Sequence, residues 1–290
     1  MNKYLFSILL LIAVSRPAGW LSFPALFLMG SVSSGGTTIT PLFISQILLL
    51  SFPFCIFVYG INDIYDYESD KINPRKGLFE GIVLQPEYHS FVKHVAFFSI
   101  SLLFFTSLLT LNIFNILVVA LLVPLGYFYN APPVRLKERP PLDSIINGIG
   151  YFFAPFFLGF SFSSSFFLNA GKGIFWIGVC LITVVVMGFH SYSTIMDYSV
   201  DKKAGMKTFA TVFGKRSAAF FALLVSTLAL FFSNSSILFN PVTSYYFGFC
   251  SLLFFITLAL PSEKLARWGF GLMFSGFVLW PIIWLLTYYL

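Results

Sequence analysis

Charge is what this sequence has least of. Only 10% of its 290 residues are Asp, Glu, Lys or Arg, with 11 acids, 17 bases and three His. Ordinary soluble domains carry about a quarter of their residues as charges, so that class is excluded. Cysteine is equally sparse. Cys55, Cys180 and Cys250 stand alone in apolar runs, so neither a disulfide framework nor a zinc-ligand spacing can be built from them, and they read as packing residues. The N-terminus begins like a signal peptide (Met1-Asn2-Lys3, then Tyr4 to Val14) but has no small-residue cleavage site. Arg16-Pro17 runs directly into more apolar sequence, so it is read as a lead-in helix that stays.

What is present is apolar: 58% hydrophobic residues, 20% aromatic, and a mean hydropathy of +0.88. That profile belongs to an all-α, polytopic membrane protein. About nine stretches reach the ~20 residues a bilayer requires. They are 12–33, 41–61, 89–111, 112–131, 143–168, 173–195, 216–233, 242–260 and 266–289, in a single domain covering 1–290. A net charge of +6 would point to nucleic acid in a soluble protein; here charge placement explains it. Fifteen of the 17 Lys and Arg, and all 11 acids, fall in 62–94, 130–143, 197–216 and 261–267 or at Lys3. By the positive-inside rule these segments and the N-terminus face the cytoplasm, and the C-terminus ends outside.

The charged segments are not plain topology signals. Asn62-Asp63-Ile64-Tyr65-Asp66-Tyr67-Glu68-Ser69-Asp70-Lys71 follows an apolar run that begins near Thr40. Asn62, Asp66 and Asp70 are spaced i, i+4, i+8 and share one helical face, with Asp63 beside them. Acids so close repel unless cations sit among them, and hard oxygen donors suit Mg²⁺ shared with a substrate phosphate. A second stretch, Ile195 to Lys202, repeats Ile, Asp, Tyr, Asp and Lys in register, with Ser193 at the place of Asn62 and Thr194 at that of Asp63. Two copies at one constant offset mark an internal repeat. Together they would hold a di-metal diphosphate site.

Basic residues accompany both acid clusters. Asn73-Pro74-Arg75-Lys76-Gly77 follows the first, and Tyr127-Phe128-Tyr129-Asn130-Ala131-Pro132-Pro133-Val134-Arg135-Leu136-Lys137 lies between the two. Anionic headgroups account for some of these cations; Arg135 and Lys137, taken with the acids, point to diphosphate binding. Arg16, inside an apolar span, either snorkels to the interface or points into the same site. His190 and Tyr192 precede the second cluster, and a lone His there reads first as a packed or hydrogen-bonded residue. His89 and His94 read as interfacial. Asn234-Ser235-Ser236 matches a glycosylation acceptor, a frequent chance pattern.

These residues resemble the UbiA superfamily of intramembrane prenyltransferases over almost the whole chain. Its Asn-Asp-x-x-Asp-x-x-x-Asp motif is matched by Asn62, Asp63, Asp66 and Asp70, and its Asp-x-x-x-Asp motif by Asp197 and Asp201. Arg16-Pro17 and the basic loop with Arg135 and Lys137 also fit. The resemblance implies two pseudo-repeats of a four-helix unit, with the helices ringed around a central chamber. It implies Mg²⁺ on Asn62, Asp63, Asp66, Asp70, Asp197 and Asp201, with Asp66, Asp70, Asp197 and Asp201 catalytic. Arg16, Arg75, Lys76, Tyr129, Arg135, Lys137 and Lys202 are its candidates for holding the diphosphate. The implied reaction ionises a (poly)prenyl diphosphate to an allylic cation, which a lipophilic acceptor captures within the bilayer. Asn73-Pro74-Arg75-Lys76-Gly77 and Arg139-Pro140-Pro141-Leu142-Asp143-Ser144 resemble the lycopene elongase branch, whose acceptor is a carotenoid alkene. An aromatic or quinone-precursor acceptor is the alternative within the family. A transporter is the alternative class, but it would place its polar residues at the midplane, not at one face; a structural scaffold has no use for the repeated acids.

Overall fold

The computed structural model describes residues 3–35, 39–73, 76, 81–163, 173–232 and 237–289, and every regular element among them is helical. Helices α1 (Lys3–Ser15) and α2 (Ser22–Ser33) are two arms of one apolar stretch bent by 57°. The bend lies at Arg16, which is left-handed at φ 51°. Pro17 disfavours the helical conformation for the residue before it and has no N–H to continue the ladder. The expected first span, 12–33, is therefore a pair of half-helices that includes the lead-in segment.

Next come α3 (Pro41–Leu49) and α4 (Phe52–Tyr65), which together cross as one 25-residue segment. Thr40 caps α3 by accepting from the Phe43 N–H at 3.1 Å. The short α5 (Tyr67–Asp70) follows, then α6 (His89–Leu109) and α7 (Ile113–Asn130), the last capped by Asn112. The fifth span is α8 (Leu142–Gly148), a π turn over Ile149–Phe153, and α9 (Ala154–Phe160). Pro155 has no N–H and its ring crowds the carbonyl four residues back, which widens the turn before it. The chain continues as α10 (Gly173–Ser193), two short helices α11 (Tyr198–Ala204) and α12 (Phe209–Phe213), then α13 (Lys215–Phe231), α14 (Pro241–Ala259) and α15 (Glu263–Tyr289).

Seven of these segments are long and apolar enough to cross a bilayer, eight if the bent pair is one span. The expected span 216–233 corresponds to α13, which has 17 residues and reaches only about 26 Å. The described part of the expected span 143–168 ends at Ser163, and Asn234-Ser235-Ser236 lies outside the described residues.

The helices close into a ring. α1 packs on α4, α4 on α6, α6 on α7 and α7 on α9; then α8 packs on α10, α10 on α13, α13 on α14, α14 on α15, and α15 returns to α2. Two apolar cores follow this division, one built mainly from residues before Leu158 and one from residues after Phe152. The seam between them is the α2–α9 crossing. A Cβ on Gly30 would lie 1.9 Å from the Phe156 carbonyl oxygen, and one on Gly159 would lie 1.8 Å from that of Phe27. Reciprocal glycines thus set the helix separation, as small residues do between membrane helices. At one edge of the seam a buried amide pair joins α3 to α7: Gln46 and Asn115 exchange hydrogen bonds of 2.9 and 3.2 Å, completed by Ser107 and Ser161.

The Gly159→Ala substitution should destabilise the protein by about 1–3 kcal/mol, seen as a lower melting temperature in detergent. Gly248→Ala on α14, where an added methyl meets nothing within 4 Å, is the control and should leave stability unchanged or raised. Equal behaviour of the two variants would show that the crossing does not limit stability.

Candidate active site

Both acidic motifs are built the same way. α4 ends at Tyr65, and Asp66 breaks it at φ −101°, ψ 4° before α5 begins. After α10, Asp197 adopts φ −106°, ψ 8° before α11. In each copy the second aspartate's N–H returns to the first one's carbonyl at 2.8 Å, Asp70 to Asp66 and Asp201 to Asp197. α5 and α11 touch, and Asn73 Nδ2 donates to Asp197 Oδ1 at 3.3 Å, so the two motifs meet at one end of the ring.

Every acid of the first motif is held by cations or amides. Asp66 accepts from Lys137 Nζ, from Arg135 at 3.3 Å and from Asn62 at 2.9 Å. Asn130 ties this group together, accepting from Asn62 at 2.9 Å and from Lys137 at 3.0 Å. Asp63 turns away from the shared face and is fully buried, its Oδ1 meeting Arg16 at 2.9 Å and Lys76 at 3.3 Å. Lys76 also reaches Asp70 at 2.6 Å. Arg16 donates weakly to Asn62 at 3.4 Å and lies 4.5 Å over the Tyr59 ring, so it points inward and does not snorkel. Arg16 and Arg135 are both in the left-handed region, at φ 51° and 42°, an arrangement costing about 1–2 kcal/mol per residue. Both strained arginines serve the acids of one motif.

Beneath this polar end lies a cavity of about 640 Å³. Asn62, Asp66, Asp197, Asp201, Lys137 and Arg16 line its polar part. Phe23, Phe54, Phe57, Phe189 and Phe277 line the rest. Ala18 on one side and Gly271 and Ser275 on the other border it and are exposed, which puts its mouth between the Arg16 bend and α15. Gly271 is eight residues into α15, about 12 Å from its charged end, which sets the mouth at bilayer depth.

The placement of the expected residues is uneven. Arg16, Tyr129 and Lys137 line the cavity. Arg135 contacts the cavity's Asp66 from behind, Lys76 pairs with Asp63 and Asp70, which are not part of the lining, and Lys202 is exposed with its ammonium 5.7 Å from the Tyr198 ring. Arg75 lies outside the described residues. His190 is hydrogen-bonded, as a lone His at that position suggests, yet it also lines the cavity. Sequence reasoning missed Asn130, Asn147, Tyr151 and Thr208, polar residues without a recognisable spacing. Among the described residues no three His, Cys, Asp or Glu side chains converge on one point. The cavity's oxygen donors come as Asn62 with Asp66 and Asp197 with Asp201, a set that fits hard cations completing their shell with water and phosphate oxygens.

The arrangement joins a charged rim to an apolar cavity inside a helical membrane protein. Residues 21–275 match the UbiA prenyltransferase family, and the chain belongs to it. It is a prenyltransferase and an integral, multi-pass membrane protein. The lycopene elongase/hydratase of Haloarcula japonica is 31% identical over 231 residues, covering 77% of this chain and 74% of that protein. The lycopene elongase/hydratase of Corynebacterium glutamicum is 30% identical over 228 residues, covering 76% and 75%. A solved UbiA homologue from Archaeoglobus fulgidus, bound to DMAPP and Mg²⁺, has the same fold, with a TM-score of 0.68 at 20% identity over 95% of this chain and 98% of that one.

Burial tunes the charged groups at the polar end. It pulls Lys137 below the ordinary lysine value, with Asp66 opposing. It lifts Asp70 from 3.8 to about 6 even though Lys76 pulls it down, and Asp66 and Asp63 add to the rise. A carboxyl raised in the folded state contributes most stability below its unfolded value, and that contribution is lost as pH rises through about 6. The melting temperature of Asp70→Asn should therefore gain on that of wild type between about pH 5 and about pH 7.5. A constant difference over that range would rule out the raised carboxyl.

Proposed function

We propose that the protein transfers a short prenyl group from an allylic diphosphate to the terminal alkene of a carotenoid such as lycopene. The observation that carries this reading is the single cavity joining paired acids and cations at one end to aromatic walls and a lateral mouth. The two lycopene elongase/hydratase relatives, each matched over about three-quarters of its length, support the acceptor. A linear C40 polyene is about as long as the ~30 Å hydrocarbon core. A cavity of about 640 Å³ takes one end of it, and the mouth lets the remainder stay in lipid.

Asn62, Asp66, Asp197 and Asp201 are the residues suited to hold Mg²⁺, with Asp70 next to them. When bound, the metal neutralises part of the diphosphate charge. Lys137, paired with Asp66, and Arg16, paired with Asp63, line the cavity and donate to the diphosphate oxygens, stabilising the charge that grows there as the allylic C–O bond breaks. Both bonding electrons leave with the diphosphate. The acceptor alkene supplies the pair for the new C–C bond, which leaves a tertiary cation on the acceptor. Phenylalanine faces tolerate that cation, and dry walls delay its capture by water. The distribution of Lys and Arg supports a cytoplasmic side for the diphosphate end.

In proteoliposomes with lycopene, labelled dimethylallyl diphosphate and Mg²⁺, label should enter the carotenoid and the signal should vanish with EDTA. Asp66→Asn and Asp197→Asn should each lower transfer by about 10²-fold or more at equal protein level. Near-wild-type transfer in both variants would sink the assignment of the two motifs. Label on a quinone precursor instead of lycopene would move the acceptor and keep the chemistry.

A further inference from the structure

We propose that His190 removes the proton that ends the transfer, with Asp143 stabilising the imidazolium; this rests on the prenyl-transfer reading above. His190 lies three residues before the end of α10 and lines the cavity. Its neighbours Val186 and Phe189 on the same helix are part of the apolar wall. Asp197, at the polar end, is seven residues further along, so His190 lies one to two helical turns, about 5–10 Å, deeper. That is the depth of the acceptor's cation, which forms a few bonds beyond the diphosphate.

The surroundings of the imidazole suit a base. Nε2 is 3.7 Å from Oδ2 of Asp143 and 3.4 Å from the Tyr129 hydroxyl. Neither approach is short, so the nitrogen has room for a further partner from the cavity. Asp143 is only 1% exposed, and backbone N–H groups fix its carboxylate, Ser144 at 2.7 Å and Phe209 at 3.2 Å. Asn147 Nδ2 donates to the Tyr129 oxygen at 2.8 Å, which leaves the hydroxyl proton directed away from the amide. The rest of the cavity supplies no competitor. Its other polar side chains are hydroxyls, amides and cations, apart from the carboxylates of the diphosphate end, and among the described residues His190 is the one imidazole in the lining.

The step balances without any further reactant. The C–H bond on the carbon next to the cation breaks, its electron pair becomes the new C=C, and the proton goes to Nε2. Asp143 Oδ2 then faces a cationic ring. The proton leaves with the released diphosphate, which restores the neutral base.

The test compares wild type with His190→Gln in proteoliposomes containing lycopene, labelled dimethylallyl diphosphate and Mg²⁺, scoring diphosphate release and the ratio of alkene to tertiary alcohol among labelled carotenoids. Wild type should give alkene. In His190→Gln, alkene formation should fall by about 10²-fold while diphosphate is still released and the intercepted label appears as alcohol from water capture. Asp143→Asn should shift the ratio in the same direction by a smaller factor. An unchanged ratio at wild-type rate in His190→Gln, or mainly alcohol from wild type, would overturn the assignment. Dimethylallyl thiolodiphosphate binding reports on folding of the donor site, and its loss in His190→Gln would also overturn it, by placing His190 in donor binding. A wild type that releases no diphosphate overturns the prenyl-transfer reading itself.

Discussion

A charge near the bilayer must be matched where it stands, because few water molecules are there to screen it. The first acidic motif meets that constraint with four cations from three segments: Arg16 from the α1–α2 bend, Lys76 from just beyond α5, and Arg135 and Lys137 from the loop after α7. Breaking any buried pair would strand its partner, which costs far more than the pair's net contribution. The left-handed turn at Arg135 and the burial of Asp63 serve this matching, and the bend set by Pro17 brings Arg16 to it. In the proposed reaction, an incoming diphosphate enters the same matching and competes with carboxylates for cations already in position.

The ring below is held by a different physics. Apolar side chains gain little from leaving lipid, so packing depends on close approach, and the reciprocal glycines of α2 and α9 supply it. The two apolar cores meet at that seam, which leaves space between them for the cavity. Rigid walls and a charged rim are thereby separated in one molecule. In the proposed reaction, the steps that develop charge fall at the rim and the steps that must avoid water fall below it.

How much of this was legible in the chain divides along the range of the interactions. The helical class, seven of the nine expected spans, the two acid motifs and the basic loop between them were readable, because each depends on local periodicity or on charge placement. The same is true of the break at Arg16-Pro17, where one proline determines the conformation of its neighbour. Tertiary structure alone decided which cation meets which acid, why Asp63 turns from the face shared by Asn62 and Asp66, and that Lys202 is exposed while Lys137 is buried. It alone brought Asp143, Tyr129 and His190 together from three helices, because no spacing in one chain records a meeting across a cavity. Sequence determined the parts whose energies are local; the partnerships came from helices packed so closely that a buried charge has only one place to find its complement.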